Sequence, residues 1–515
     1  MCIRDRVGCV GMCYLEPIVD IKSPQGGRIS YPNVTPDVVP RLVTEHVARG
    51  AICEDLAIGT VGEPRVDGVP DLLEHPMLEP QVRRVLRNCG LIDPTNIDHY
   101  IAHGGYLGIK RALEVGPAAT IDEVRRSGLR GRGGAGFPTF KKWQLCRQSS
   151  EEPKYLICNA DEGDPGAFMN RSLIEGDPHC VLEGMLIAGL AIGASEGIIY
   201  VRAEYPLAIE RLNHAIKQMR ERGLLGQGIM DTDFSFEITL KEGAGAFVCG
   251  EETALIASLE GRRGMPKPRP PFPAVSGLWC KPTIINNVET LGNLPQLLVN
   301  GAEWFAEVGT EKSKGTKTFA LAGKISRTGL IEVALGTSIK DIIFSIGGGV
   351  PDDKKLRAVQ TGGPSGGCIP ADMLDLPVDY EALAEAGSIM GSGGLIVMDE
   401  DTCVVDIAHY FISFTQQESC GKCPPCRIGT RRMLSLLKKI KSGKGTMGDL
   451  ALLEELAWTV KNASLCGLGQ TAPNPVLTTL RYFRDEYIEH IRNKRCPAGV
   501  CRKPRRKNAQ TGEKT

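Results

Sequence analysis

The rhythm of apolar positions changes several times along the chain. Between residues 154 and 242, the runs KYLICNA, GIIYVRAEY and FSFEITLKE are short and rich in β-branched and aromatic residues, which predicts strands. Interleaved with them, CVLEGMLIAGLAIGA, YPLAIERLNHAIKQM and EETALIASLEG have the length and spacing of helices. This alternation predicts an α/β domain over 91–312 with a largely buried sheet. Over 313–400, KTFALAGKIS, TGLIEVALG, SIKDIIFSIGGGV and KLRAVQTGG predict a small β-rich domain with one helix. Over 401–495 the pattern turns helical, with SCGKCPPCRIGTRRMLSLLKKI and ALLEELAWTVKNASLC forming a bundle that carries cysteines. Upstream, 7–55 hold a short αβ pattern ending in VVPRLVTEHVARG, while 56–90 are polar and Pro-rich and read as a linker.

Composition narrows the function classes. A chain of 515 residues exceeds one compact domain. Its 61 Lys and Arg balance 61 Asp and Glu, which gives no support to a nucleic acid partner. The one charge run, RKPRRK in the basic tail 496–515, reads as a solvated terminus. No segment approaches the roughly 18–20 apolar residues of a membrane span; MLIAGLAIGA at 185–194 is too short and runs into Glu196. The start, MCIRDRVGCV, carries charges where a signal peptide would be apolar. The expectation is a soluble cytoplasmic protein with no direct membrane insertion, any membrane association being peripheral and through partner subunits. Eighteen cysteines in that setting are not a disulfide framework, and Cys158 and Cys249 read as packing residues.

The chemistry begins at GLRGRGGAGFPTFKKW (128–143), where Gly131 to Gly136 spell G-x-G-x-x-G. A dinucleotide fingerprint follows a strand. Here the preceding TIDEVRRSGL has helical spacing, so that context is missing. The glycines with Arg132 still let backbone N–H groups converge on an anion, and Lys141 or Lys142 can add charge; a flexible surface loop is the alternative. YLICNADEGDPGAFMNR (155–171) sets Asn159, Asp161, Glu162 and Asp164 at a strand end, where they line a cleft or face water. GAGAFVCGEETALIASLEG (243–261) places Gly250, Glu251 and Glu252 at a helix start. GMPKPRPPFPAVSGLWCKPTIINNVET (264–290) offers Arg269, Phe272, Asn286, Asn287 and Thr290. Together these stretches describe a nucleotide site: a phosphate loop, hydroxyl acceptors, an aromatic face and amides.

The four stretches, in this order, resemble the flavin- and NADH-binding subunit of respiratory complex I and its relatives in NAD-linked hydrogenases and formate dehydrogenases, over about residues 7–500. The resemblance implies an α/β multidomain fold: a Rossmann-like FMN/NAD domain at 91–312, a β-grasp insert at 313–400, and a C-terminal helical bundle with an iron–sulfur site at 401–495. It also implies a truncated, partial thioredoxin-like ferredoxin module at 1–55. Matched by motif, Gly131, Arg132, Gly133, Gly134, Lys142, Asn159, Asp161, Glu162, Gly250, Glu251, Asn286, Asn287 and Thr290 are implied as the FMN shell. Phe137, Asp164, Glu252, Arg269 and Phe272 are implied on the NAD(H) side. Phe140 stands where the family usually has glycine, and WQLC lacks an aromatic that some members carry. In the 313–400 insert no chemistry is visible, GGPSGGC at 362–368 reading equally as a tight turn or a site.

Cys420, Cys423 and Cys426 form C-x-x-C-x-x-C, with Cys466 further on in SLCGLGQ. Such a triplet can wrap one corner of a cubane and a distant fourth thiolate can close it; structural zinc more often uses two separated C-x-x-C pairs. The resemblance assigns these four to a [4Fe–4S] cluster. Cys9 and Cys13 resemble the second half of a [2Fe–2S] site. MCIRDR does not resemble the upstream half, so a truncated or misjoined start is expected, without a complete [2Fe–2S] centre. Cys496 and Cys501, in RCPAGVC, resemble a segment that precedes a ferredoxin domain in hydrogenase- and formate dehydrogenase-type relatives; as tail thiols they would simply be exposed.

The implied activity is that of a diaphorase subunit: hydride from NADH to FMN, then single electrons through [4Fe–4S] to a partner, with no side chain needed as general acid or base. The implied partners are a thioredoxin-like [2Fe–2S] subunit and a further iron–sulfur or catalytic subunit of a larger complex. Glu252 and its neighbours would repel a 2′-phosphate, favouring NAD over NADP. Two alternatives stay open, a hydrogenase or formate dehydrogenase version running toward NAD⁺ reduction and a non-catalytic flavin-binding module.

Overall fold

The computed structural model describes residues 6–22, 27–62 and 64–501. Cys2 and most of the basic tail lie outside the described residues. Near the N-terminus, β1 (Val19–Lys22), β2 (Arg28–Tyr31) and β3 (Gly59–Val61) form an antiparallel sheet in that order. Its third strand comes from the 56–90 stretch, which is therefore not a bare linker. Beyond β3, that stretch gives Leu72, Met77 and Leu78 to the core of the 313–400 region and Val85, Leu86 and Cys89 to that of the α/β region. Its apolar residues serve two cores in turn, so they show no single period.

The centre is a four-stranded parallel sheet of order β6-β5-β4-β7, from β4 (Tyr155–Ala160), β5 (Glu196–Arg202), β6 (Glu237–Gly243) and β7 (Thr283–Asn287). Both faces are covered, as a parallel sheet requires. Leu156, Cys158 and Ala160 of β4 point into a core with the helices Leu107–Ser127 and Pro178–Ile192. Tyr155 and Ile157 point the other way, into a cluster shared with Val248, Leu255, Cys426 and Leu468. The period of two thus gives one sheet two partners, a helical layer and the cysteine-bearing lobe.

Pro178–Ile192 contains most of the MLIAGLAIGA run, and every residue but Leu190 is buried. A helix apolar all round belongs in a core, and this one approaches its neighbour closely: a Cβ on Gly184 would lie 2.1 Å from the Leu291 carbonyl oxygen. Among the described residues no helix is long and apolar enough to cross a membrane. The helix before the glycine loop, Leu107–Ser127, breaks at Gly116–Pro117 and ends on left-handed Gly128. The loop therefore joins helix to helix (next Thr139–Gln148), not strand to helix.

A five-stranded sheet of order β11-β10-β12-β8-β9 fills 313–400, from β8 (Thr316–Gly323), β9 (Gly329–Ala334), β10 (Leu356–Thr361), β11 (Gly367–Pro370) and β12 (Gly394–Asp399). Only the β12–β8 pair is parallel. After it, the helices Val404–Gln417, Thr430–Lys441, Met447–Ala463 and Asn474–Tyr482 pack around Ile412, Leu436, Leu453 and Val476.

Candidate active site

A cavity of about 660 Å³ opens where β4 and β7 end, within the range typical of small-molecule sites. Chain order reverses between these two strands: β5 and β6 lie to one side of β4, β7 to the other. Ligands of open α/β sheets settle outside the carboxyl ends at such a switch point. Asn159 near the end of β4 and Asn287 at the end of β7 line this cavity, with Gly133, Gly134, Asp161, Glu162, Asp164, Gly250 and Glu251.

Several of these side chains are already committed within the chain. Asn159 donates to the Gly250 carbonyl at 3.0 Å and accepts from the Asp161 N–H at 3.0 Å. Glu251 caps the helix Glu252–Leu259, accepting from the N–H groups of Thr253 and Ala254. Asn287 caps Val288–Gly292 through the Glu289 N–H. Glu162 accepts from the N–H groups of Asn170 and Arg171 at 3.0 and 3.1 Å, yet burial pushes its carboxyl up to about 7. Asp164 accepts from the Ser392 hydroxyl and is pushed up to about 6, again by burial.

Asp161 differs. Among the described residues neither of its buried oxygens has a hydrogen-bond partner, and the Arg202 guanidinium stands 4.0 Å away. Burial raises its carboxyl to about 7, Arg202 opposing and Glu204 reinforcing the shift. Buried carboxylates are normally satisfied, so this one has acceptor capacity to spare on the cavity wall. The glycine loop complements it: among the described residues no hydrogen-bond acceptor meets the N–H of Gly133, Gly134 or Ala135, all three on the cavity wall. Unpaired amides and an unpaired carboxylate in one cavity fit a ligand with an anionic end and a polyol, as FMN has.

Other residues of the implied shell lie off the cavity wall. The Arg132 guanidinium is turned away and buried, donating to the carbonyls of Thr316, Lys314 and Arg130. Its backbone N–H donates to Thr290, whose buried hydroxyl braces the loop from behind. Asn286 is buried as acceptor for Trp143 Nε1 at 3.0 Å. The Gly131 carbonyl accepts from Tyr380. Lys142, Glu252 and Arg269 form a charge chain, Lys142 also donating to the Ile285 carbonyl. Phe137 and Phe272 are exposed, Arg269 lying 5.9 Å from the Phe272 ring centre. Phe140 packs on the α/β core.

Cys420, Cys423, Cys426 and Cys466 converge on a small cavity with Val248, Pro266 and Leu468. Burial and the other three thiols push Cys426 up to about 11, against a contact from Ser419. Four converging cysteines in an apolar nest suit an iron–sulfur cluster, whose metal would hold the sulfurs as thiolates. Val248 and Leu468 line both cavities, so the two share a wall.

Comparison with known proteins agrees with this geometry. The Nuo51 FMN-binding domain family matches residues 124–296, and the NADH-ubiquinone oxidoreductase-F iron-sulfur binding region matches 406–490. NADP-reducing hydrogenase subunit HndC of Solidesulfovibrio fructosivorans is 58% identical over 421 residues, covering 82% of this chain and 86% of that one. The F 2 subunit of the NADH-quinone oxidoreductase of Rhizobium meliloti is 43% identical, over 82% of this chain and 100% of the relative. The chain belongs to the family of the NADH-quinone oxidoreductase F subunits. A crystal structure of an NAD⁺-reducing [NiFe]-hydrogenase in the H₂-reduced state contains a similar chain, with TM-score 0.69 and 33% identity over 90% of this chain and 74% of that one.

Two features of this member of the family are only partly marked in its sequence, by the GGPSGGC stretch and by RCPAGVC. The first is that the 313–400 region supplies a wall of the cavity, through Gly362, Ser365, Tyr380 and the loop Ile389–Ser392. Nothing in the sequence links these residues to the glycine loop, since only the packing of two lobes brings them together. The second is a further four-ligand group: Cys403, His490, Cys496 and Cys501 hold their ligand atoms within 4.8 Å of one another. Cys403 Sγ lies 3.6 Å from both His490 Nε2 and Cys501 Sγ. His490 Nδ1 donates to the Glu486 carbonyl at 2.7 Å, which turns the Nε2 lone pair toward the thiols. Three thiols and one imidazole can hold a tetrahedral zinc ion. Cys496 and Cys501 are thus gathered into a site, not loose in a tail. At the N-terminus Cys9, Cys13 and Glu16 also converge, the Cys9 thiol donating to Glu16 at 2.9 Å. A [2Fe–2S] centre needs four ligands, and this group supplies two thiols.

Proposed function

We propose that this chain is the NADH-oxidising flavin subunit of a multi-subunit oxidoreductase, with FMN in the switch-point cavity and a [4Fe–4S] cluster on Cys420, Cys423, Cys426 and Cys466. The observation that carries this reading is the wall of Val248 and Leu468 shared by the two cavities, which leaves a route of side-chain thickness between flavin and cluster. A bound flavin supplies the two-electron to one-electron conversion that neither NADH nor a cluster performs alone. The chain supplies position and charge. Backbone N–H groups of Gly133, Gly134 and Ala135 take the phosphate, while Gly131, Arg132, Thr290 and Asn286 shape that cradle from behind. Asn159, Asp161 and Glu162 face the ribityl hydroxyls. In the flavin-free chain burial pushes the Asp161 carboxyl up to about 7, and hydroxyl donors from the ribityl chain would favour its charged, accepting form. Gly250, Glu251 and Asn287 close the sides of the cavity, and Lys142 holds Glu252 at its edge. Asp164, Glu252, Arg269, Phe137 and Phe272 form the nicotinamide-nucleotide side, the exposed rings offering stacking faces.

The five-stranded region is read as a β-grasp insert, and the N-terminal sheet with the helix Val39–Leu42 as part of a thioredoxin-like module. The partners are a [2Fe–2S] subunit and a further iron–sulfur or catalytic subunit. A hydrogenase-type complex, running toward nicotinamide reduction, is the second reading; the 58% identity to a hydrogenase subunit supports it. Glu252 is neutralised by Lys142 and Arg269, which weakens the expected repulsion of a 2′-phosphate.

Anaerobic titration of FMN-loaded protein with NADH and, separately, NADPH tests the reading. Stoichiometric flavin bleaching, with about four irons and four sulfides per chain, is the expected result. Bound flavin that ignores both nucleotides would leave only a flavin-binding module.

A further inference from the structure

We infer that Tyr380 and Glu381, on the 313–400 insert, are positioning residues that hold the glycine loop in its phosphate-binding shape; this rests on the flavin reading above. The loop is held at both ends, at the entry by the insert directly and at the exit by Arg130, which the insert positions. Tyr380 donates its hydroxyl proton to the Gly131 carbonyl at 2.9 Å, at the loop's entry. At the exit, Arg130 Nε donates to the Gly136 carbonyl at 2.6 Å. Arg130 is itself set by the insert: its guanidinium carbon lies 4.3 Å from the Tyr380 ring centre, and Nη1 meets Glu381 Oε1 at 2.7 Å. The Ser313 hydroxyl donates to the other Glu381 oxygen at 3.2 Å, fixing the carboxylate.

Shape agrees with the hydrogen bonds. Gly136 has φ 62°, and a Cβ there would fall 2.6 Å from the Tyr380 ring. Gly134, with φ 115°, would bring a Cβ to 2.9 Å from the backbone of Gly391, also in the insert. The loop is thus moulded between the end of β7 and the insert, with the N–H groups of Gly133, Gly134 and Ala135, on the cavity wall, left unpaired among the described residues. Both residues also line the cavity, but the role assigned to them is through the geometry of the loop, and that geometry matters most to the phosphate.

This separates a positioning role from general support. Full-length Tyr380→Phe and Glu381→Gln, both near-isosteric, are stripped of flavin and titrated with FMN and with riboflavin, which lacks the phosphate, by flavin fluorescence. Loss of one such hydrogen bond predicts FMN affinity down roughly 3- to 10-fold, riboflavin affinity unchanged, and iron content equal to wild type. Unchanged FMN affinity in both variants would overturn the assignment, as would equal losses for FMN and riboflavin, which is what a merely structural role gives. Wild-type protein that takes up neither flavin would instead overturn the flavin reading, and the assignment with it.

Discussion

Glu183 and Asp161 are both buried carboxyls raised by desolvation, but their surroundings are opposite. Glu183, on the helix Pro178–Ile192, accepts from the Tyr100 hydroxyl and from the N–H groups of Tyr106 and Ile109 at 2.8 and 3.0 Å. It closes a network that anchors the start of Leu107–Ser127. Asp161 has no hydrogen-bond partner for either oxygen among the described residues, Arg202 standing 4.0 Å away. The first region is finished within the chain, while the second is finished only by something that enters. The Cys403–His490–Cys496–Cys501 group belongs with the second, four ligand atoms converging around a centre the chain does not fill itself. At Asp161 the open carboxyl stands on a cavity wall, which is what points to a ligand; open atoms such as Arg211 Nε and Gln360 Oε1 do not line that cavity.

The contrast is sharpest at Glu183. Glu183→Ala strands a hydroxyl and two N–H groups, and the variant is expected to lose about 3–5 kcal/mol. Denaturant midpoints measure this, and a loss below about 1 kcal/mol would break the contrast. Next comes the second four-ligand group. One zinc per chain is expected beside the cluster iron, and chelation or His490→Ala should remove it with iron unchanged, at about 2–4 kcal/mol of apparent stability. Elemental analysis with thermal melts reads both effects, and zinc retained by the variant would discount the group.

Asp161 predicts a smaller effect with a pH signature. Its carboxyl titrates at about 7 in the flavin-free folded chain, against about 3.9 unfolded. The folded state therefore binds more protons between these values, and this residue's contribution to stability falls as pH rises through them. Flavin-free Asp161→Asn should match wild type near pH 4 and exceed it by about 1–3 kcal/mol at pH 8, the other carboxyls cancelling in the difference. Parallel melting curves across that range would show Asp161 already satisfied. Smallest is the exposed pair Arg222–Asp98, at 2.8 Å with both side chains half in water. Arg222→Ala should change stability by less than about 0.5 kcal/mol.

The central strands β4, β5 and β6 are legible because their apolar runs are continuous and bounded by turns. β7 is not legible as a strand: TIINN follows a Pro- and Gly-rich stretch, and its asparagines draw attention as chemistry. Of the cluster cysteines, the C-x-x-C-x-x-C triplet stands out by its spacing, and the family resemblance adds Cys466. Cys403 and His490 do not stand out, being single residues whose meaning arises only when the bundle brings them to the Cys496–Cys501 turn. The glycine loop is recognisable as a site, but nothing in GRGG tells which way the Arg132 side chain goes. That direction is set by the carbonyls of Lys314 and Thr316, which belong to the adjoining lobe. Local pattern carries local structure, whereas a wall shared between lobes leaves no periodic trace.

The cavity draws its walls from Gly133, Asp161, Gly250, Asn287, Ser392 and Leu468, in that order along the chain. A ribosome making this protein has produced most of the chain before the last of these exists. The site cannot mature on the nascent α/β domain, because its roof is synthesised last. Ser392 and Leu468 join the cavity only after the α/β domain and its glycine loop have been made, so the complete set of walls is a late product of folding.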